Sequence, residues 1–217
     1  MARSGGRRLM PLLGAIGFVL AWVLGLLLHT SGPAIDASGA EIAAHYANHR
    51  TSALVQAVLV HGVAALCLVL VVLGVEYATS RARSRPSDIT FLVAGCLAAA
   101  VSGVQLGFDI ALTSSVGATD AGAARLLFDT VNRLDGAKLI ALAVMAGAGF
   151  ELGRRRVLPQ WLQLTALPLT VALLIAAAGL LARSVALADV AALALVLLLI
   201  WVFGAGYAVS GQDHRAG

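Results

Sequence analysis

The stretch LDGAKLIALAVMAGAGFELG, residues 134–153, decides how many times this chain crosses a membrane. Only the twelve residues between Lys138 and Glu151 are uncharged without interruption. A hydrocarbon core of about 30 Å takes about 20 helical residues. Extending the segment to 134–153 supplies that length and leaves Lys138 and Glu151 near opposite interfaces, where a lysine stem can carry its ammonium back to water. Arginine placement then settles the matter. If 134–153 crosses, Arg3, Arg7, Arg8, Arg81, Arg83, Arg85, Arg154, Arg155, Arg156 and Arg215 share one side. The other side carries only Arg50, Arg125, Arg133 and Arg183, with Lys138 at the boundary. If it does not cross, the cluster at 154–156 violates the inward bias of positive charge. The segment therefore reads as a span.

Uncharged runs place the other spans at 10–29, 52–76, 89–112, 160–182 and 190–210, with both termini cytoplasmic. The first run is longer than the ~7–15 residues of a signal-peptide core, and no Ala-x-Ala site follows it directly, so it reads as a retained signal anchor. Composition agrees. The 217 residues are 60% hydrophobic and 12% charged, with a mean hydropathy of +0.92, against ~45–50% and ~25% in soluble domains. These values exclude an ordinary globular domain and a disordered chain. They also exclude a nucleic-acid binder, despite a pI of 9.7. Six spans occupy nearly all of 1–217, so the fold class is all-α, a single transmembrane bundle. Fourteen of the fifteen basic residues are Arg, which points to a GC-rich bacterial genome and hence to a bacterial cytoplasmic membrane. Cys67 and Cys96 lie within apolar runs and read as small buried hydrophobes, not as a disulfide or zinc pair.

The first outside loop carries Ser38-Gly39-Ala40-Glu41, a capping box that should open a short interfacial helix ending near Arg50. A second interfacial helix is expected near 123–134, where Arg125, Asp129 and Arg133 recur every four residues and can pair along the surface. Asp135 and Lys138 can pair at i, i+3, and Asp189 is expected near Arg183. Gly17, Ala21 and Gly25, then Gly95, Ala99 and Gly103, recur every four residues and predict close helix approach. The same faces are candidates for oligomer contact.

Two stretches carry a family resemblance. One is the loop 32–50. The other is Asn132-Arg133-Leu134 followed by Arg154-Arg155-Arg156-Val157-Leu158-Pro159-Gln160-Trp161-Leu162. Together they resemble a family of uncharacterised bacterial six-helix multi-pass membrane proteins, with an outside helix after the first span and a basic, then Leu-Pro-x-Trp, lead-in to a late helix. The resemblance implies a polytopic bundle and no activity. Pro159 in any case suits the start of a helix and Trp161 the interfacial belt.

Two constellations bear on chemistry. Glu41, His45 and His49 lie along one helix face, and with His29 at the outer end of the first span they are candidate metal ligands, zinc above all. They would serve a metal-dependent membrane enzyme; otherwise no cofactor is implied. The second constellation is intramembrane. His61 lies about 13 Å into the second span, and Ser102, Gln105 and Asp109 form one stripe of the third, with Asp109 about 30 Å along. Such groups face a bundle interior or an aqueous cavity. Lys138 or Arg133 is the expected partner of Asp109. No nucleotide-binding loop, dinucleotide fingerprint, nucleophile elbow or Cys-x-x-Cys is present. Polar groups concentrate in the outer half of the chain. The leading expectation is a non-enzymatic binding, sensing or transport-accessory protein. It would have an outward-facing polar pocket lined by His61, Ser102, Gln105, Asp109, Arg133 and Lys138. Its partners would be the bilayer and a small-molecule or lipid ligand from outside.

Overall fold

The computed structural model describes residues 4–28, 32–80, 85–115 and 121–211. In chain order these form α1 (Ser4–Leu28), α2 (Gly39–Asn48), α3 (Arg50–Ala57), a π-helical turn (Val58–Val63) and α4 (Ala64–Ser80). They continue as α5 (Pro86–Ser115), α6 (Ala121–Arg154), α7 (Gln160–Ala182), α8 (Val185–Ala188) and α9 (Val190–Gly211). Six stretches are long and apolar enough to cross a membrane: Leu9–Leu28, Arg50–Ser80, Pro86–Ser114, Ala121–Arg154, Gln160–Ala182 and Val185–Gly211. Their outward faces are aliphatic; Leu13, Leu27, Leu66, Leu126 and Leu164 are each more than 60% exposed. Such a surface would aggregate in water and is at home in lipid. The chain is a helical membrane protein.

Small residues set the spacing inside, as expected where lipid removes the hydrophobic drive between helices. A side chain on Gly17 would sit 2.6 Å from the sulfur of Cys67, and one on Gly25 would sit 2.7 Å from a Val60 methyl. Thus α1 rides directly on the second span. Gly95 is likewise closed in by Val72 and Met145, but Gly103, expected on the same face, has open space around it and is exposed. Toward its C-terminal end α5 turns that face away from the bundle. The centre is sealed by Trp201, 1% exposed. Its ring lies 6.1 Å from that of Phe91 and its indole N–H donates to the Leu162 carbonyl at 3.0 Å. Pro168 does not end α7, which runs through it from Gln160 to Ala182.

One expected division is absent. The interfacial helix at 123–134 and the span at 134–153 are a single 34-residue rod, α6, about 50 Å long. No proline interrupts it. Gly136, the one weak point where the two were expected to meet, is held against Leu181 of α7. Since the rod exceeds a hydrocarbon core of about 30 Å, its first turns stand clear of the span. The helix expected after the first span is separate: α2 opens on a capping box, of which Ser38 and Glu41 form both halves.

The two ends of the bundle are clamped differently. At the α2 end, Arg125 donates to the Ala37 and Ile35 carbonyls at 2.6 and 3.0 Å and to both oxygens of Asp129. Ile42, wholly buried, packs there with Leu112, Ala124 and Phe128. Asp129 takes Arg183 at 3.8 Å as a second cation. The expected partners differ: Arg133 is exposed, and Arg183 turns to Asp129, not to Asp189. At the opposite end Arg155 pairs with the buried Asp88, which also accepts from the Arg85 backbone N–H at 3.0 Å. That ties the start of α5 to the end of α6.

Candidate functional site

Beneath α2, four helical segments deliver polar side chains to one place. α6 supplies Lys138, only 5% exposed, and Asp135 one turn before it. Their spacing of three makes the pair that i, i+3 geometry allows, at 2.5 Å. α5 supplies the stripe Ser102, Gln105 and Asp109, all buried, with Gln105 wholly so. The π-helical turn supplies His61, whose side chain is 12% exposed. α1 supplies Trp22, whose ring lies 5.9 Å from the Lys138 ammonium, within reach of a cation–π contact.

The ammonium has three donors and no acceptor, and three acceptors meet it. Asp135 Oδ1 lies at 2.5 Å, Gln105 Oε1 at 3.1 Å and His61 Nδ1 at 3.4 Å. Because Lys138 donates to Nδ1, the imidazole hydrogen sits on Nε2, an assignment made from the partners. That Nε2 faces Asp109 Oδ2 at 3.5 Å, too long for a good hydrogen bond. Asp109 Oδ2 accepts no other, and Gln105 Nε2, on the Asp135 side, completes no hydrogen bond either. Two polar atoms are therefore left wanting inside an apolar bundle. A lysine so fully engaged is a fixed charge and not a free nucleophile.

Tyr46 of α2 packs against the neighbouring Ile42, Leu112, Ala124 and Phe128, near enough to the cluster to feel its charges. Burial first, and then the nearby carboxylates of Asp109 and Asp135, push its phenol above the ordinary tyrosine range. The tyrosine thus stays a neutral donor and acceptor beside the site.

The structure brings together His61, Gln105, Asp109 and Lys138, with Ser102 three residues before Gln105 on the buried stripe. Arg133 stands apart, exposed on α6, and the group nearest Asp109 is His61 instead of the expected Lys138 or Arg133. The helix period explains this. Lys138 follows Asp135 by three residues and spends its charge there before it can reach Asp109.

The candidate metal ligands do not gather. The Glu41 carboxylate accepts from the Ser38 backbone N–H at 2.7 Å, and this bond and the Ser38 hydroxyl hold it below the usual carboxylate range. His45 and His49 stack, ring centroids 4.6 Å apart, and His49 Nδ1 meets the His45 carbonyl at 3.0 Å. His29 lies outside the described residues. Among the described residues no three His, Cys, Asp or Glu side chains are placed to share one ion.

Sequence spacing overlooked three parts of the site: Trp22, Tyr46 and the π-helical turn. The first two are ordinary interfacial aromatics in sequence, and nothing in Val58-Leu59-Val60-His61-Gly62-Val63 marks a π turn. Such turns recur at functional sites because the extra residue re-aims a side chain. Compared with protein-family models, with curated proteins and with solved structures, the chain matches none.

Proposed function

We propose that this chain is a non-enzymatic binding or sensing protein of a bacterial cytoplasmic membrane, working through the cluster beneath α2. The cluster is reached from the outer face, and both termini are cytoplasmic. The observation that carries the proposal is the pair of unsatisfied atoms, Gln105 Nε2 and Asp109 Oδ2, in a site otherwise closed. Interhelical glue would be selected for complete pairing, since each unmet buried group costs about 1–3 kcal/mol. A site that binds keeps such groups for its ligand and bears the loss of stability. The partly exposed Asp135, with 30% of its side chain accessible, is the way in from solvent. The fully engaged Lys138 favours binding over covalent catalysis.

The test is the stability of Asp109→Asn in detergent or nanodiscs. A working site predicts an unfolding midpoint equal to wild type or higher, because Oδ2 accepts no hydrogen bond that the amide could lose. A loss equivalent to about 1 kcal/mol or more would identify Asp109 as structural glue and end the proposal.

A further inference from the structure

The charges of the cluster do not cancel. Facing Asp109 are His61 from the π-helical turn, Asp135 and Lys138 from α6, and Tyr46 from α2; Gln105 shares its own helix, and α1 brings only Trp22. Two carboxylates thus stand against one ammonium. Tyr46 is held neutral. His61 cannot supply the missing positive charge while Lys138 donates to Nδ1, since a doubly protonated ring would set N–H against N–H. Lys138 is committed to Asp135 at 2.5 Å, so the surplus negative charge falls on Asp109, with Oδ2 accepting no hydrogen bond. An uncompensated carboxylate at that depth is strongly disfavoured. A metal ion there would sit against the Nε2–H of His61, a donor and not a ligand. A proton on the carboxylate can point away from that N–H.

We propose that the cluster is a proton-binding site, loaded with one proton that resides on Asp109 Oδ2 and comes from the water at the α2 end. This deepens the binding function proposed above, on which it rests, by naming the proton as what the site takes. The contacts lead from the accessible carboxylate of Asp135 to the buried one of Asp109. Asp135 Oδ1 meets Lys138 Nζ at 2.5 Å, Lys138 Nζ meets His61 Nδ1 at 3.4 Å, and His61 Nε2 meets Asp109 Oδ2 at 3.5 Å. Loading carries one proton from solvent to the Asp109 carboxylate, and no electrons are exchanged. Lys138 stays an ammonium and His61 keeps its hydrogen on Nε2, so Nδ1 remains the acceptor that Lys138 needs.

Infrared difference spectroscopy of the full chain in lipid nanodiscs, titrated with pH, tests this directly. Wild type should show a carboxylic-acid C=O band that titrates; Asp109→Asn should lose it, and Glu41→Gln at the α2 cap should keep it. Asp109→Glu should shift the band without abolishing it, which keeps the test open if the asparagine variant folds poorly. No such band at any pH where the protein is folded, or a band unchanged in both Asp109 variants, would overturn the proposal. The two proposals fail separately. A band lost in an Asp109→Asn variant that is also destabilised keeps the proton and removes the binding role; no band with undiminished stability does the reverse.

Discussion

At the scale of single residues, Lys138 is the strut of the site. It is the only lysine in the chain and, at 5% exposure, it holds Asp135, Gln105 and His61 at once. Lys138→Met keeps the stem and removes the charge. It leaves the Asp135 carboxylate without its cation, so the variant should lose about 3–5 kcal/mol, the usual cost of breaking a buried pair from one side. Adding Asp135→Asn should restore a large part of that, and thermal or denaturant unfolding of the two variants in detergent measures it. A single variant as stable as wild type would show that the ammonium contributes nothing to the cluster. The sequence made this residue visible through its isolation in an apolar run, and the Asp135 pair through its spacing. It also put Gln105 and Asp109 on one stripe. Partner choice was not legible: Asp109 lies near several cations in a linear reading, and only the competition for Lys138 assigns it to His61.

At the scale of elements, α2 is latched at its first turn. The Ser38–Glu41 capping box was readable because it is local chemistry within four residues. The grip of Arg125 on Ala37 and Ile35 was not, because it joins residues 88 and 90 positions apart. The continuity of α6 was missed for a related reason: the change from polar to apolar at residue 134 marks a change of surroundings, and the backbone does not register it. The latch gives a pH dependence with a definite sign. The folded value of Glu41 is depressed by the Ser38 N–H, so its contribution is complete above the unfolded value near 4.5 and is lost as pH falls through the folded one. Protection of the amides of 38–42 from hydrogen exchange, taken relative to the intrinsic rate at each pH, should therefore fall on acidification below that range, while the core of α6 stays protected. In Glu41→Gln that protection should be lower at neutral pH and almost insensitive to acid. Equal acid sensitivity in both proteins would remove Glu41 as the latch.

At the scale of the whole molecule, the two clamps divide the bundle into distinct ends. Arg125, Asp129 and Arg183 gather at one, and Asp88 with Arg155 at the other. If the α2 end faces out, Ala47 and Ala186, both exposed, share the outer side, and the turn after α6 lies inside. The structure also dictates which residue can report on that turn. A cysteine at Arg155 would strand the buried carboxylate of Asp88, whereas the Arg154 side chain is 61% exposed and pairs, among the described residues, with Glu151 at the surface. The background must lack Cys67 and Cys96, and because the Cys67 sulfur packs on Gly17, alanine is the replacement there. In intact cells an impermeant thiol reagent should label Ala47→Cys and Ala186→Cys and spare Arg154→Cys until the membrane is opened. The reverse pattern would turn the molecule over and direct the cluster to the cytoplasm. Labelling of all three from outside would break the six-span arrangement. Only the expected pattern keeps Asp135, and the buried chain of groups behind it, open to the outer water.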